Sequence, residues 1–300
     1  MPEGRVHRVI LGERRRQGRI RGGAWVRLFV VAVLVAALAG AVQAGDIEGH
    51  WAEQYLAEGG GHGIVRGYTD GTVRPDAPVT RAEFATMACR ATGEEENAAV
   101  AARLLPVFAD VPSDHWALGY FRLSHEMGLV QGDQDSLAHP DDPITRAELA
   151  VIAARLVIHL RLQSLGGSSA SFADQADIPS WAAPAVASLA GQGVLKGDDR
   201  GLFRPGDTTT RAEAVVVLLR VLEMQGSRWD LTGEVRTVNA ETGLMHLILG
   251  SEDVAVKCDQ TTLLFKNGVR VFLGQVEPGA AVRVLFRKGK PGFASVASIR

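Results

Sequence analysis

Apolar positions follow three rhythms along this 300-residue chain. Near the start an uncharged run, Leu28–Val42, shows no period. In the middle, Phe84, Met87 and Ala88, then Leu149, Ile152 and Leu156, then Val215, Leu218, Leu219 and Leu222 stand at helical spacing, which predicts three helices with one buried face each. From Trp229 the spacing drops to two, as in Val254-Ala255-Val256 and Val282-Arg283-Val284-Leu285-Phe286. That alternation predicts half-buried strands. Turn signals at Thr242-Gly243, Asn267-Gly268, Pro278-Gly279 and Pro291-Gly292 divide the region into roughly five to seven short strands, enough for a small barrel or sandwich.

The helical rhythm is a repeat. Thr80-Arg81-Ala82-Glu83, Thr145-Arg146-Ala147-Glu148 and Thr210-Arg211-Ala212-Glu213 are 65 residues apart, and Trp51, Trp116 and Trp181 keep the same interval. So do Gly63, Gly128 and Gly193, then Gly67, Gly132 and Gly197, then Pro75, Pro140 and Pro205; one supersecondary unit is used three times. Each unit reads as helix, glycine-rich loop, helix. In the first, a helix opens near His50-Trp51-Ala52 and is expected to stop in Gly59-Gly60-Gly61 and Gly63, before the loop Arg66–Gly71. Pro75 and Pro78 hold the chain extended until Thr80. Thr followed three residues later by Glu is the capping box, in which each side chain bonds the other residue's backbone N–H.

Such helix pairs cannot bury their apolar faces alone, so the three are expected to pack as a short solenoid or as a closed pseudo-threefold bundle. The fold class expected is multidomain α+β. Residues 45–90, 108–157 and 172–224 form the repeats, and residues 229–300 form a small all-β barrel-like domain. Thr92–Asn97 and Gly166–Ser171 read as connectors, the acidic triplet Glu94-Glu95-Glu96 as a solvated helix start, and Gln225–Arg228 as a short linker.

Residues 1–44 read as a signal peptide. An arginine-rich stretch ends at Arg27, the apolar run follows, and Val42-Gln43-Ala44 is a small-residue cleavage pattern. The 15-residue run is shorter than the roughly 20 residues of a spanning helix, so no retained membrane span is expected. The basic leader is long for a secretory signal, which leaves room for a start further downstream. Cleavage removes eight Arg and two Glu, taking the formal charge from −2 to −8. An acidic protein is a poor partner for nucleic acid, whose phosphates require a basic surface. Cys89 and Cys258 are too few for a disulfide framework and read as buried free thiols.

Arg81, Arg146 and Arg211 each occupy the first turn of a helix, where the macrodipole favours anions and a guanidinium can hold a carboxylate by two parallel bonds. Trp51, Trp116 and Trp181 offer flat apolar faces of the kind that receive sugar rings. Together they suit an acidic carbohydrate. The same residues have structural readings: the arginines can pair with acidic neighbours such as Asp70 or Asp110, and a repeated Trp can anchor a core.

The order Asp46-Ile47-Glu48-Gly49-His50-Trp51-Ala52, Gly63-Ile64-Val65-Arg66-Gly67-Tyr68-Thr69-Asp70-Gly71-Thr72 and Thr80–Phe84 resembles the surface-layer homology repeat, and the likeness runs from about Asp46 to Met224 in three tandem copies. The resemblance implies a pseudo-trimeric helical module whose inter-repeat grooves bind a pyruvate-ketal-bearing secondary cell wall polymer. It implies that Arg81, Arg146 and Arg211 bind carboxylates, that Trp51, Trp116 and Trp181 line the grooves, and that loop glycines such as Gly67 and Gly132 add backbone contact. It also implies a secreted protein of the cell wall or S-layer. Departures stand at Ala44, where the family has Phe, at Asp133 and Asp198, where it has Tyr, and at Ala138, where it has an aromatic.

The function expected is therefore a non-catalytic surface anchor with no cofactor, whose partner is a secondary cell wall polymer or another peptidoglycan-linked acidic polysaccharide. An envelope hydrolase tethered by the repeats is the competing enzyme reading. Glu234, Glu241, Glu252, Asp253 and Glu277 are scattered and lack a companion motif, and no Gly-x-Ser-x-Gly elbow occurs. Asp133, Asp135, Asp141 and Asp142, with Asp198 and Asp199, raise a metal reading, but the calcium-loop spacing is incomplete, so no metal is expected. His50 and His115 have Ser180 as their third counterpart, which argues against a triplicated histidine site. A further reading gives the β domain another surface protein, or a second copy of itself, as partner.

Overall fold

The computed structural model describes residues 45–162, 171–287 and 290–297. The expected signal peptide and most of the Gly166–Ser171 connector lie outside them. Seven α-helices precede seven strands among the described residues: α1 Glu53–Gly61, α2 Arg81–Ala91, α3 Glu95–Ala101, α4 Leu118–Glu126, α5 Arg146–His159, α6 Ala183–Gly191 and α7 Arg211–Gln225. Helices α2, α5 and α7 begin at the three Thr-Arg-Ala-Glu motifs, and each has both halves of the capping box in place. No helix among the described residues is long and apolar enough to cross a membrane.

The three units are tied in cyclic order. The Val79 N–H donates to the Thr209 carbonyl at 2.9 Å, Thr209 to Ile144 at 2.9 Å, and Ile144 to Val79 at 3.0 Å. These residues are 65 apart, so each unit gives one such bond and receives one. The first N–H groups of the long helices follow the same circuit. Those of Arg81 and Ala82 reach Asp142 and Pro140, those of Arg146 and Ala147 reach Asp207 and Pro205, and those of Arg211 and Ala212 reach Ala77 and Pro75. Donors that a helix start ordinarily leaves unsatisfied are thus consumed by a neighbouring repeat. One continuous core from Ile47 to Leu222 lies inside this ring.

Each loop is held by one carboxylate. Asp46 accepts from the N–H groups of Val73 and Arg74, Asp110 from Ala138 and His139, and Asp174 from Phe203 and Arg204. Arg74, His139 and Arg204 all adopt positive φ, at 55°, 52° and 56°, a conformation costly for side-chain-bearing residues. Two charge-assisted bonds per loop offset that cost.

Helix α1 stops where expected: Gly59-Gly60-Gly61 form its last turn, His62 caps it and Gly63 follows at positive φ. A Cβ on Gly59 would lie 2.6 Å from a Val215 methyl, so the residue is small because α1 packs closely on α7. The acidic triplet does begin a helix, and Glu95, though partly exposed, is also bonded to Arg66 at 2.5 Å, Tyr120 at 3.0 Å and Arg90 at 3.2 Å.

The strands are β1 Leu231–Asn239, β2 Leu244–Leu249, β3 Glu252–Lys257, β4 Leu263–Lys266, β5 Val269–Val271, β6 Ala281–Arg287 and β7 Lys290–Ala297. They form one sheet in the order β3-β2-β1-β6-β7-β4-β5, antiparallel except for the β4–β7 pair. The sheet ends at β3 and β5, so these two strands remain edges. Asn267-Gly268 makes the expected hairpin turn, with both residues at positive φ. Pro291-Gly292 does not turn the chain: it lies in β7, where Pro291 pairs with Phe286 beside a register irregularity, a place that tolerates a missing N–H.

Gln225–Arg228 is more than a tether. Gly226 closes α7 in a left-handed cap, and Arg228 then forms a two-bond ion pair with Glu58, which is wholly buried in α1. Burial pushes the Glu58 carboxyl above its ordinary value, against the opposing pull of Arg228. Beside this pair, Ala57 of α1 packs with Trp229, Leu263, Phe265 and Leu285. The sheet therefore rests on the first repeat.

Candidate functional site

The four-residue motif is a connector as well as a cap. Glu148 turns Oε2 to the Thr145 N–H at 2.9 Å, completing its own capping box, and Oε1 to Arg81 Nη1 at 2.7 Å. Arg146 reaches Glu213 at 3.1 Å, and Arg211 reaches Glu83 at 2.9 Å. Each arginine thus grips the capping glutamate of another repeat, and the three pairs close a ring. The structural partner anticipated as Asp70 or Asp110 is this glutamate. The Nε groups are equally regular, donating to the carbonyls of Ala138, Phe203 and Val73.

The junctions differ beyond that shared frame. Arg211 is 4 % exposed, donates through Nη2 to the Arg66 carbonyl, and lies 4.6 Å over the Tyr68 ring. Arg146 donates to the Lys196 carbonyl and stacks 5.1 Å over Phe203. Arg81 has Asp133 and Ala138 in place of those aromatics, and its Nη2 has no partner among the described residues. Here a cavity of 840 Å³ opens, lined by Arg81 of the first repeat, by Gly132, His139 and Arg155 of the second, and by Trp181 of the third.

Of the eight residues singled out in the sequence, the structure brings Arg81, Gly132 and Trp181 together in that cavity. Arg146 and Arg211 are engaged at the other two junctions. Trp51, Trp116 and Trp181 are 61 %, 59 % and 58 % exposed, so none serves as a core anchor. Gly67 and Gly132 allow tight loops: a Cβ on Gly67 would lie 3.1 Å from the Thr72 carbonyl oxygen, and one on Gly132 would lie 2.9 Å from the Ser136 backbone. The helix starts have no spare N–H for an anion, because the next repeat has taken them.

Three cavity residues, Gln131, His139 and Arg155, escaped the sequence reading, and Asp142 entered it only as a candidate metal ligand. Arg155 had a signal, since Arg90, Arg155 and Arg220 obey the 65-residue interval. Its guanidinium donates to the Leu129 carbonyl at 3.0 Å and to Gln131 Oε1 at 3.1 Å. Both acceptors are neutral, and no carboxylate pairs with it among the described residues. Burial pulls its pKa down, so it gains from an anionic partner. Two of the cavity carboxylates are otherwise occupied, while Asp142 is exposed and comes no nearer than 3.8 Å to His139. Glu148 is shared between Thr145 and Arg81, while Asp133 takes the N–H groups of Asp135 and Leu137 and binds His139 at 2.8 Å. The loop aspartates raised as metal ligands, Asp133 and Asp198, thus serve their own loops.

His50 and His115 accept from the backbone N–H two residues on, each at 3.1 Å, which gives them a local capping role. Cys89 and Cys258 are free and buried, and burial pushes their thiols up to about 12 and about 11. Such thiols are poor nucleophiles.

Residues 45–85, 107–150 and 171–215 each match the model of the S-layer homology domain. The repeats are S-layer homology domains. Among relatives, an amylopullulanase from Thermoanaerobacterium thermosulfurigenes is 31 % identical over 185 residues, 61 % of this chain and 10 % of that protein. A cellulosome-anchoring protein from Acetivibrio thermocellus is 31 % identical over 185 residues, 60 % of this chain and 40 % of the relative. The S-layer protein sap of Bacillus anthracis is 31 % identical over 117 residues, 39 % of this chain and 14 % of the relative. The chain thus spans less than half the length of each. One relative is named for an enzyme and two for surface roles, so no single activity travels with the matched part.

Proposed function

We propose that this protein is a non-catalytic anchor at the bacterial cell surface, whose S-layer homology domains hold an acidic polysaccharide of the wall. The observation that carries the reading is the cavity in which Arg81, Arg155 and Trp181 converge from three repeats. An exposed indole suits a sugar ring and two guanidinium groups suit an acid substituent, such as a pyruvate ketal. Sugar recognition also needs polar groups at fixed places, which His139, Asp142 and Gln131 supply. A pseudo-threefold bundle is the arrangement that the cyclic bonds support best.

Sedimentation of the full chain with purified walls tests this directly, before and after chemical removal of the non-peptidoglycan polymer. Retention is expected on intact walls and to be lost on stripped ones; equal retention on both would reject the acidic polymer as ligand. An assembly role for the sheet is a second reading, favoured by edge strand β5, where Val269 and the adjoining Phe272 are 66 % and 83 % exposed.

A further inference from the structure

The 65-residue interval superposes one groove on another. Arg66 and Arg90 of the first repeat correspond to Gln131 and Arg155 of the second, and Trp116 corresponds to Trp181. In the second repeat these positions line the open cavity. In the first, Arg66 and Arg90 are bridged by the chain's own carboxylate: Glu95 binds Arg66 Nη2 at 2.5 Å through Oε2, and Arg90 Nε at 3.2 Å through Oε1. Tyr120, one helical turn beyond Trp116, adds a hydroxyl bond at 3.0 Å. Burial opposes the Glu95 charge, but Tyr120, Arg90 and Arg66 outweigh it and hold the carboxyl below its ordinary value.

Glu95 arrives on α3, between the first two repeats. That helix is fitted closely to α4, where a Cβ on Gly119 would fall 2.0 Å from the Ala98 carbonyl oxygen. Arg155, the counterpart of Arg90, has no such carboxylate among the described residues.

We propose that Glu95 is a built-in ligand mimic, filling in the first repeat the carboxylate site that stands open in the second, where Arg155 with Gln131 receives the acid group of a bound saccharide. The inference rests on the anchoring reading and sharpens it, because it moves the decisive charge from the motif arginines to Arg155. It also makes the first groove self-occupied. The geometry is that of a guanidinium held by neutral acceptors and still able to attract an anion.

Calorimetric titration of the full chain with an N-acetylhexosamine carrying a 4,6-pyruvate ketal tests both halves, with the ketal methyl ester as control. The wild type is expected to bind the acid at least tenfold more tightly than the ester. Arg155→Gln should weaken the acid at least tenfold, and Arg155→Lys should recover part of the loss. Glu95→Ala should raise the number of sites by one, whereas Glu95→Gln, which keeps the side chain's shape and an acceptor oxygen, should leave the groove filled. The proposal is overturned by an ester that binds as well as the acid, by no binding at all, by an unaffected Arg155→Gln protein, or by an unchanged site number in Glu95→Ala. Failure of wall retention by the wild type would instead reject the anchoring reading.

Discussion

The junction around Arg211 and the junction around Arg81 are made from the same parts at the same spacing, yet one is filled and the other holds a cavity. In both, a helix-start arginine takes a capping glutamate and a loop carbonyl from another repeat. Around Arg211, Tyr68 covers the guanidinium and the Arg66 carbonyl takes Nη2. Around Arg81, Asp133 stands in the place of Tyr68 and lines the cavity. The frame of a repeat and its recognition surface are thus carried by different residues. The motif builds the frame, and residues outside it, Tyr68 and Glu95 at the first groove and Asp133 at the second, decide how far each groove stands open.

The largest expected effect separates the arginines by stability. Arg211→Ala leaves Glu83 and two carbonyls without their donor in a nearly closed junction, and should cost about 3–5 kcal/mol in urea unfolding. Arg81→Ala, at a junction open to solvent, should cost about 1–2 kcal/mol. Equal losses would break the comparison. Asp133→Tyr places at the cavity wall the aromatic present at Tyr68 and should stack over Arg81 while filling the cavity. Wall retention should then fall at least about tenfold, or ~1.4 kcal/mol, and undiminished retention would show that the cavity is not the site.

The smallest effect concerns His139. Its hydrogen bond to Asp133 raises its pKa above 6.5, despite partial desolvation, with Asp110 and Asp142 acting the same way. A raised pKa means that this contribution to stability is full below about 6.5, the unfolded value. It is lost as pH rises through the folded value. The NMR titration midpoint of His139 should lie above 6.5 and drop towards it in Asp133→Asn, so an unmoved midpoint would remove the pair from the site's electrostatics.

Much of the frame could be read from the chain because it is periodic. Thr and Glu three residues apart announce a capping box, and apolar spacing announces α2, α5 and α7. The destination of each arginine was illegible, because Arg146 and Glu213 are 67 residues apart and only packing brings them together. Burial of Trp51, Trp116 and Trp181 was an open alternative, and exposure of an indole depends on what the neighbouring repeat covers. Gly59 reads as part of a helix stop, which it is; its close approach to Val215, across the whole helical region, is a second reason for glycine that the local sequence does not show. Glu95 shows the same limit, since its solvation depended on Arg66 and Tyr120, neither of which is adjacent to it.

Because Val79, Ile144 and Thr209 bond one another in a closed circuit, the module counts. An open row of repeats can lengthen or shorten by one unit and still present the same surface at each end. A circuit of three has no ends to extend: a fourth copy would find every docking carbonyl taken, and losing one copy would leave two raw faces that no longer meet.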